Sequence, residues 1–228
     1  MNLRVILLVI LVLIFTVSGV YLSVLSFEAT SLKEAYDNGN LEITLNTTAG
    51  TVPHVVMVTN NGKKPVMVES GQILGSESSQ DLVAAESKRI NQNSSGYIRA
   101  YCYEPNQTAT PGEKLNPEGK ASSEIKHIID NSNLTNTQNT TLTQLQIWII
   151  VSGDNLNINQ GEASALVKKQ TISTAEINRQ LADARNHLLE SLNITEGEIK
   201  DIKSDSSIDI GDLINGFIKW IKNAFNIT

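Results

Sequence analysis

The apolar positions of the chain fall into three rhythms. The first is unbroken. From Val5 to Leu25 the sequence reads VILLVILVLIFTVSGVYLSVL, with no charge between Arg4 and Glu28. About 20 apolar residues, each rising ~1.5 Å, cross the hydrocarbon core of a bilayer. The run predicts an N-terminal transmembrane helix, a signal anchor over residues 1–27. A cleavable signal peptide carries a shorter apolar region, about 7–15 residues. Val17-Ser18-Gly19 still offers small residues for a peptidase, so cleavage is the alternative. Arg4 precedes the run and Glu28 follows it, and positive charge stays cytoplasmic. Residues 28–228 are therefore expected outside the membrane, starting with a polar stalk over 28–40.

The second rhythm has period two. Leu41, Ile43 and Leu45 alternate with polar residues, the pattern of a half-buried strand. Val55 to Val58 and Pro65 to Val68 flank Asn60-Asn61-Gly62-Lys63-Lys64, which predicts a hairpin. Leu82 to Ala85 and Tyr97 to Tyr103 are further strand candidates. Strands at this spacing, with polar turns between them, predict a β-sandwich over 41–170. Residues 104–144 read as an insertion: a proline-bearing loop, a helix over Ser123 to Asp130, and an Asn/Thr tract. Leu145 to Val151 is almost wholly apolar and so buried, as strand or helix, and Ala163 to Lys169 reads as one more strand.

The third rhythm is helical. Ser173 and Glu176 have the spacing of a capping box, and Ile177, Leu181, Ala184 and Leu188 follow on one helical face. A last amphipathic helix is predicted from about Asp209 to Phe225, with Leu213, Ile214, Phe217 and Ile221 in its stripe and Trp220 at its edge. Such a stripe must find an apolar partner. The choices are the rest of the chain, a second copy, another protein or the outer leaflet, and two Lys with one Trp favour protein over lipid. The expected fold class is α+β: an N-terminal transmembrane helix, an extracytoplasmic β-sandwich and a helical C-terminal region over 171–228.

Composition narrows the function classes. With 18 basic and 24 acidic residues the formal charge is -6, which argues against a nucleic-acid partner. A single Cys excludes an intrachain disulfide framework or a thiolate cluster. His54, His127 and His187 lack metal-motif spacing, and no phosphate loop or nucleophile elbow occurs. No catalytic residue, metal or cofactor is therefore expected, and the chain reads as non-enzymatic. Sequons at Asn46, Asn93, Asn106, Asn133, Asn139, Asn193 and Asn226 all lie on the predicted outer side. These features together predict a single-pass, glycosylated cell-surface protein of an archaeal envelope, with a structural, adhesive or protein-binding role.

Cys102 carries the one chemical alternative. Tyr101-Cys102-Tyr103, followed by Thr143-Gln144 and Leu145-Gln146-Ile147-Trp148, resembles the thioester domains of bacterial surface adhesins. In that family a Cys after an aromatic residue bonds to a Gln in an apolar motif. The resemblance implies a covalent adhesin with Cys102 joined to Gln146, and Thr143-Gln144 as the family's Thr-Gln pair.

Overall fold

The computed structural model describes residues 10–16 and 29–199. From residue 29 on, the described residues hold nine strands: β1 (Thr30–Ser31), β2 (Leu41–Leu45), β3 (His54–Asn60), β4 (Val66–Val68), β5 (Gln72–Gly75), β6 (Leu82–Ala84), β7 (Lys88–Ile90), β8 (Ser94–Cys102) and β9 (Asn116–Lys120). Helix α1 (Leu32–Asp37) lies between β1 and β2. After β9 the chain is helical: α2 (Ser123–Asp130), α3 (Thr137–Ser152), α4 (Gly161–Gln170) and α5 (Thr174–Leu192).

The strands form a six-stranded sheet, in the order β2-β3-β8-β6-β5-β9, and a small sheet, β1-β4-β7. The large sheet curls. The segment leading into β9 bonds back to the far edge, with Leu45 N–H donating to Glu113 O and Leu115 N–H to Ile43 O. Its concave face holds one core, in which Ile43, Leu45, Val56, Val58, Ile98 and Leu74 meet Val66, Val68 and Ile90 of the small sheet. The opposite face holds a second core. There Val83, Tyr101 and Cys102 pack against Ile125, Ile129, Leu145, Trp148, Leu166, Ala184 and Leu188 of the helices.

Several expectations change. Of the apolar run 5–25, residues 10–16 are described, as helix, and the remainder lies outside the described residues. No helix among the described residues is long and apolar enough to cross a membrane. This overturns the anchor, and with it the single-pass location, the membrane as partner, and the charge argument that put residues 28–228 outside.

The Asn-Gly hairpin is absent too. β3 pairs with β2 and β8, whereas β4 pairs with β1 and β7 in the other sheet. Asn60 explains the crossing. Its buried side chain donates to the Lys64 and Asn91 carbonyls and accepts from Gly62 N–H, so the turn bends between layers. The sheet region ends at Lys120, and β9 within the expected insertion completes one edge of the large sheet. Ala163 to Lys169 is helix α4, not a strand, and the Asn/Thr tract supplies the start of α3. Asn136 caps α3 through its side chain, accepting from Asn139 N–H. The stripe predicted for α5 is present, with Ile177, Ala184 and Leu188 buried. Only half of the capping box forms: Ser173 Oγ accepts from Glu176 N–H at 3.1 Å, while Glu176 itself turns to Arg179.

Candidate functional site

A chain of buried polar groups crosses the interface between the large sheet and the helices. It starts at Thr47, whose hydroxyl lies 2.9 Å from His54 Nδ1. His54 sits at the start of β3, in the inward phase it shares with Val56 and Val58. Its Nε2 lies 3.0 Å from Glu162 Oε1 and 3.0 Å from Gln80 Nε2. The Gln80 oxygen touches Cys102 Sγ at 2.5 Å. His54, Gln80, Cys102 and Glu162 are all 0% exposed.

Each member is fixed by its own element. Glu162 stands in the first turn of α4, where the helix dipole favours an anion. Its carboxylate also accepts from Gly50 N–H and, at 3.1 Å, from Ala109 N–H. Burying a carboxylate is costly unless it is paired and hydrogen-bonded, and two backbone N–H donors with the His54 ring beside them meet that need. Gly50 and Gly161, both at positive φ, allow the approach: a Cβ on Gly50 would strike the Ala165 carbonyl, and one on Gly161 the Pro105 carbonyl. Gln80 lies in the serine-rich loop before β6, two residues ahead of Leu82, the register partner of Cys102. That loop is held by Ser76 N–H to Asp81 and by Ser79 Oγ to the Thr108 carbonyl.

Cys102 ends β8. Gln144 of α3 takes the place of a neighbouring strand there, accepting from Cys102 N–H and donating to Cys102 O, both at 2.8 Å. Burial first, then the Glu162 carboxylate, push the Cys102 thiol well above its ordinary range, while the Trp148 indole N–H acts in the opposite sense. In the geometry that indole nitrogen, buried with its ring, has no hydrogen-bond partner.

The residues expected from the sequence are placed as follows. Cys102 is central. Gln146 is buried, but it is Gln144 that reaches Cys102; Gln146 lies two residues on, about 200° round the helix. Asn46, Asn93, Asn106, Asn133 and Asn193 are exposed. Asn139 is half-buried, its oxygen accepting from Asn133 N–H. Asn226 and the stripe of Leu213, Ile214, Phe217, Trp220 and Ile221 lie outside the described residues. Among the described residues no three His, Cys, Asp or Glu converge as metal ligands. His54, Gln80 and Glu162 form no sequence motif, since 108 residues separate the first from the last. The available signals were a His and a Glu at inward positions of otherwise apolar faces.

A second feature is open to solvent. A groove of about 580 Å³ runs between α3 and α5. Leu142 and Leu145 line it beside Glu176, Arg179, Asp183 and His187. Arg179 bridges Glu176 at 2.7 Å and Asp183 at 2.8 Å. The Gln180 side-chain oxygen on the same wall is buried without a donor, while its nitrogen donates to Glu176.

A family model described as the ARG and Rhodanese-Phosphatase-superfamily-associated Protein domain, ARPP-1, matches residues 10–226. The chain belongs to the ARPP-1 family. Comparison with curated proteins and with solved structures gives no match. ARPP-1 membership replaces the adhesin resemblance, which rested on short motifs around Cys102, Thr143-Gln144 and Gln146. It also removes the support for a membrane-anchored envelope or adhesive role, since nothing in the ARPP-1 description points to adhesion. What it does point to is association with other proteins.

Proposed function

We propose that this ARPP-1 chain is a non-catalytic protein-binding domain whose partners belong to the rhodanese-phosphatase superfamily. The family description supports the class of partner. The groove between α3 and α5 is the proposed seat. The observation that carries it is the Gln180 oxygen, a buried acceptor without a donor on a wall that also carries Leu142 and an Arg-carboxylate triad. An unsatisfied buried acceptor costs about 1–3 kcal/mol, and turning the Gln180 amide out into the groove to meet a partner's N–H would recover it. The polar chain at Cys102 is sealed from solvent, which suits a structural role and not turnover of a substrate.

The test is calorimetric titration of a purified rhodanese-phosphatase-superfamily protein into the full chain. Saturable binding that Leu142→Glu and Arg179→Glu each weaken tenfold or more is the expected result. Absence of binding defeats the partner assignment. Binding that ignores both substitutions defeats the groove, and a concentration-dependent dimer sensitive to both would give the groove to a second copy.

A further inference from the structure

The contact between Cys102 and Gln80 is too short for a thiol hydrogen bond. Sγ and Oε1 stand 2.5 Å apart. Hydroxyl-to-oxygen hydrogen bonds lie at about 2.7–2.8 Å, and sulfur is the larger atom. A sulfur and an oxygen come this close when both are bonded to one carbon. We propose that Cys102 and Gln80 are joined by an internal thioester, formed by the chain itself. This bond is separate from the binding role and involves neither Gln146 nor adhesion.

The surroundings provide what that reaction requires. Gln144 grips both backbone polar groups of Cys102 and fixes its position. The loop bonds at Ser76 and Ser79 hold Gln80 against it. His54 Nε2 stands 3.0 Å from the Gln80 nitrogen that must leave, and Glu162 and Thr47 orient the ring from either side. The sulfur attacks Cδ of Gln80, and the thiol proton passes to the amide oxygen. The C–S bond forms and the C–N bond then breaks. His54 Nε2 gives a proton to the departing nitrogen and recovers one from the oxygen. The products are a thioester and one ammonia. No oxidant, reductant or co-reactant enters. Holding the reacting groups in contact supplies the effective concentration that makes such a step accessible. Once made, the bond ties β8 to the loop ahead of β6 in a site closed to water.

Intact mass of the full chain, denatured in acid, tests this directly. The expected mass is below the sequence mass by one ammonia, and Cys102→Ala and Gln80→Ala each abolish the deficit. Denaturation in methylamine should open the bond and leave an N-methylamide on residue 80. A glutamate at position 80 in wild type, absent from the Cys102→Ala protein, would mark a thioester that formed and hydrolysed. His54→Ala should delay the loss of ammonia tenfold or more while the protein stays folded by circular dichroism. Wild-type chain at full sequence mass, with amide 80 intact and a free thiol titratable in denaturant, would overturn the proposal.

Discussion

Gln144 illustrates how much one side chain can hold. Its amide satisfies both the N–H and the C=O of Cys102 at the end of β8, in a place with no exposure. Gln144→Ala would leave two buried backbone groups without partners, at about 1–3 kcal/mol each. Urea unfolding is expected to show a loss of about 2–6 kcal/mol, whereas Gln138→Ala on the exposed start of the same helix should change little. Gln144 was visible in the sequence, but its role was not. A Gln inside an apolar helix signals a buried hydrogen bond without naming the partner. His54 and Glu162 were harder still, because each looks like an isolated polar residue until α4 is brought to β3.

Elements depend on approach as much as on propensity. Helix α4 was read as a strand because Ala163 to Lys169 has short apolar steps and no capping side chain announces a start; Gln160 at its N-cap makes no side-chain bond. Its two glycine contacts, with the loops at 50 and 105, decide where it sits. Gly50→Ala adds a methyl against the Ala165 carbonyl at φ +74. The expected outcome is a loss of about 1–3 kcal/mol, read as a lower urea midpoint with an unchanged slope. Helix α5 was legible, since its stripe and Ser173 cap are local. Its start also carries a pH response. Hydrogen bonds from Arg179, then Gln180, hold the Glu176 carboxyl at about 2 against an ordinary 4.5. A carboxyl lowered on folding stabilises above its unfolded value, and that contribution fades as pH falls through 4.5 toward about 2. Glu86 beside Arg99 and Asp130 beside Lys126 are shifted in the same direction. Thermal melts across pH 6 to 2 should therefore show falling stability below about 4.5, and Glu176→Gln should reduce the slope.

At the scale of the whole molecule the two cores share one sheet, so neither layer is complete alone. Alternation along single strands revealed which residues face inward, and most of β2, β3 and β8 was readable that way. It did not reveal which sheet a strand joins, because that is settled by distant partners such as Ile90 against Asn60. Trp148 reports on the joint between layers. It is 1% exposed and lies among Tyr101, Cys102 and the helices. Trp148→Ala would remove the largest fully buried side chain among the described residues, at a cost of about 3–5 kcal/mol. At about 2–4 °C per kcal/mol for a chain of this size, the melting temperature should drop by roughly 10 °C. The informative quantity is the shape of that transition. If sheet and helices form one cooperative unit, the far-ultraviolet helical signal and the near-ultraviolet tyrosine signal should fall together at the lower temperature. A helical signal lost early, with the tyrosine environment intact to the original temperature, would mean that the helical layer unfolds alone and that the curled sheet stands without it.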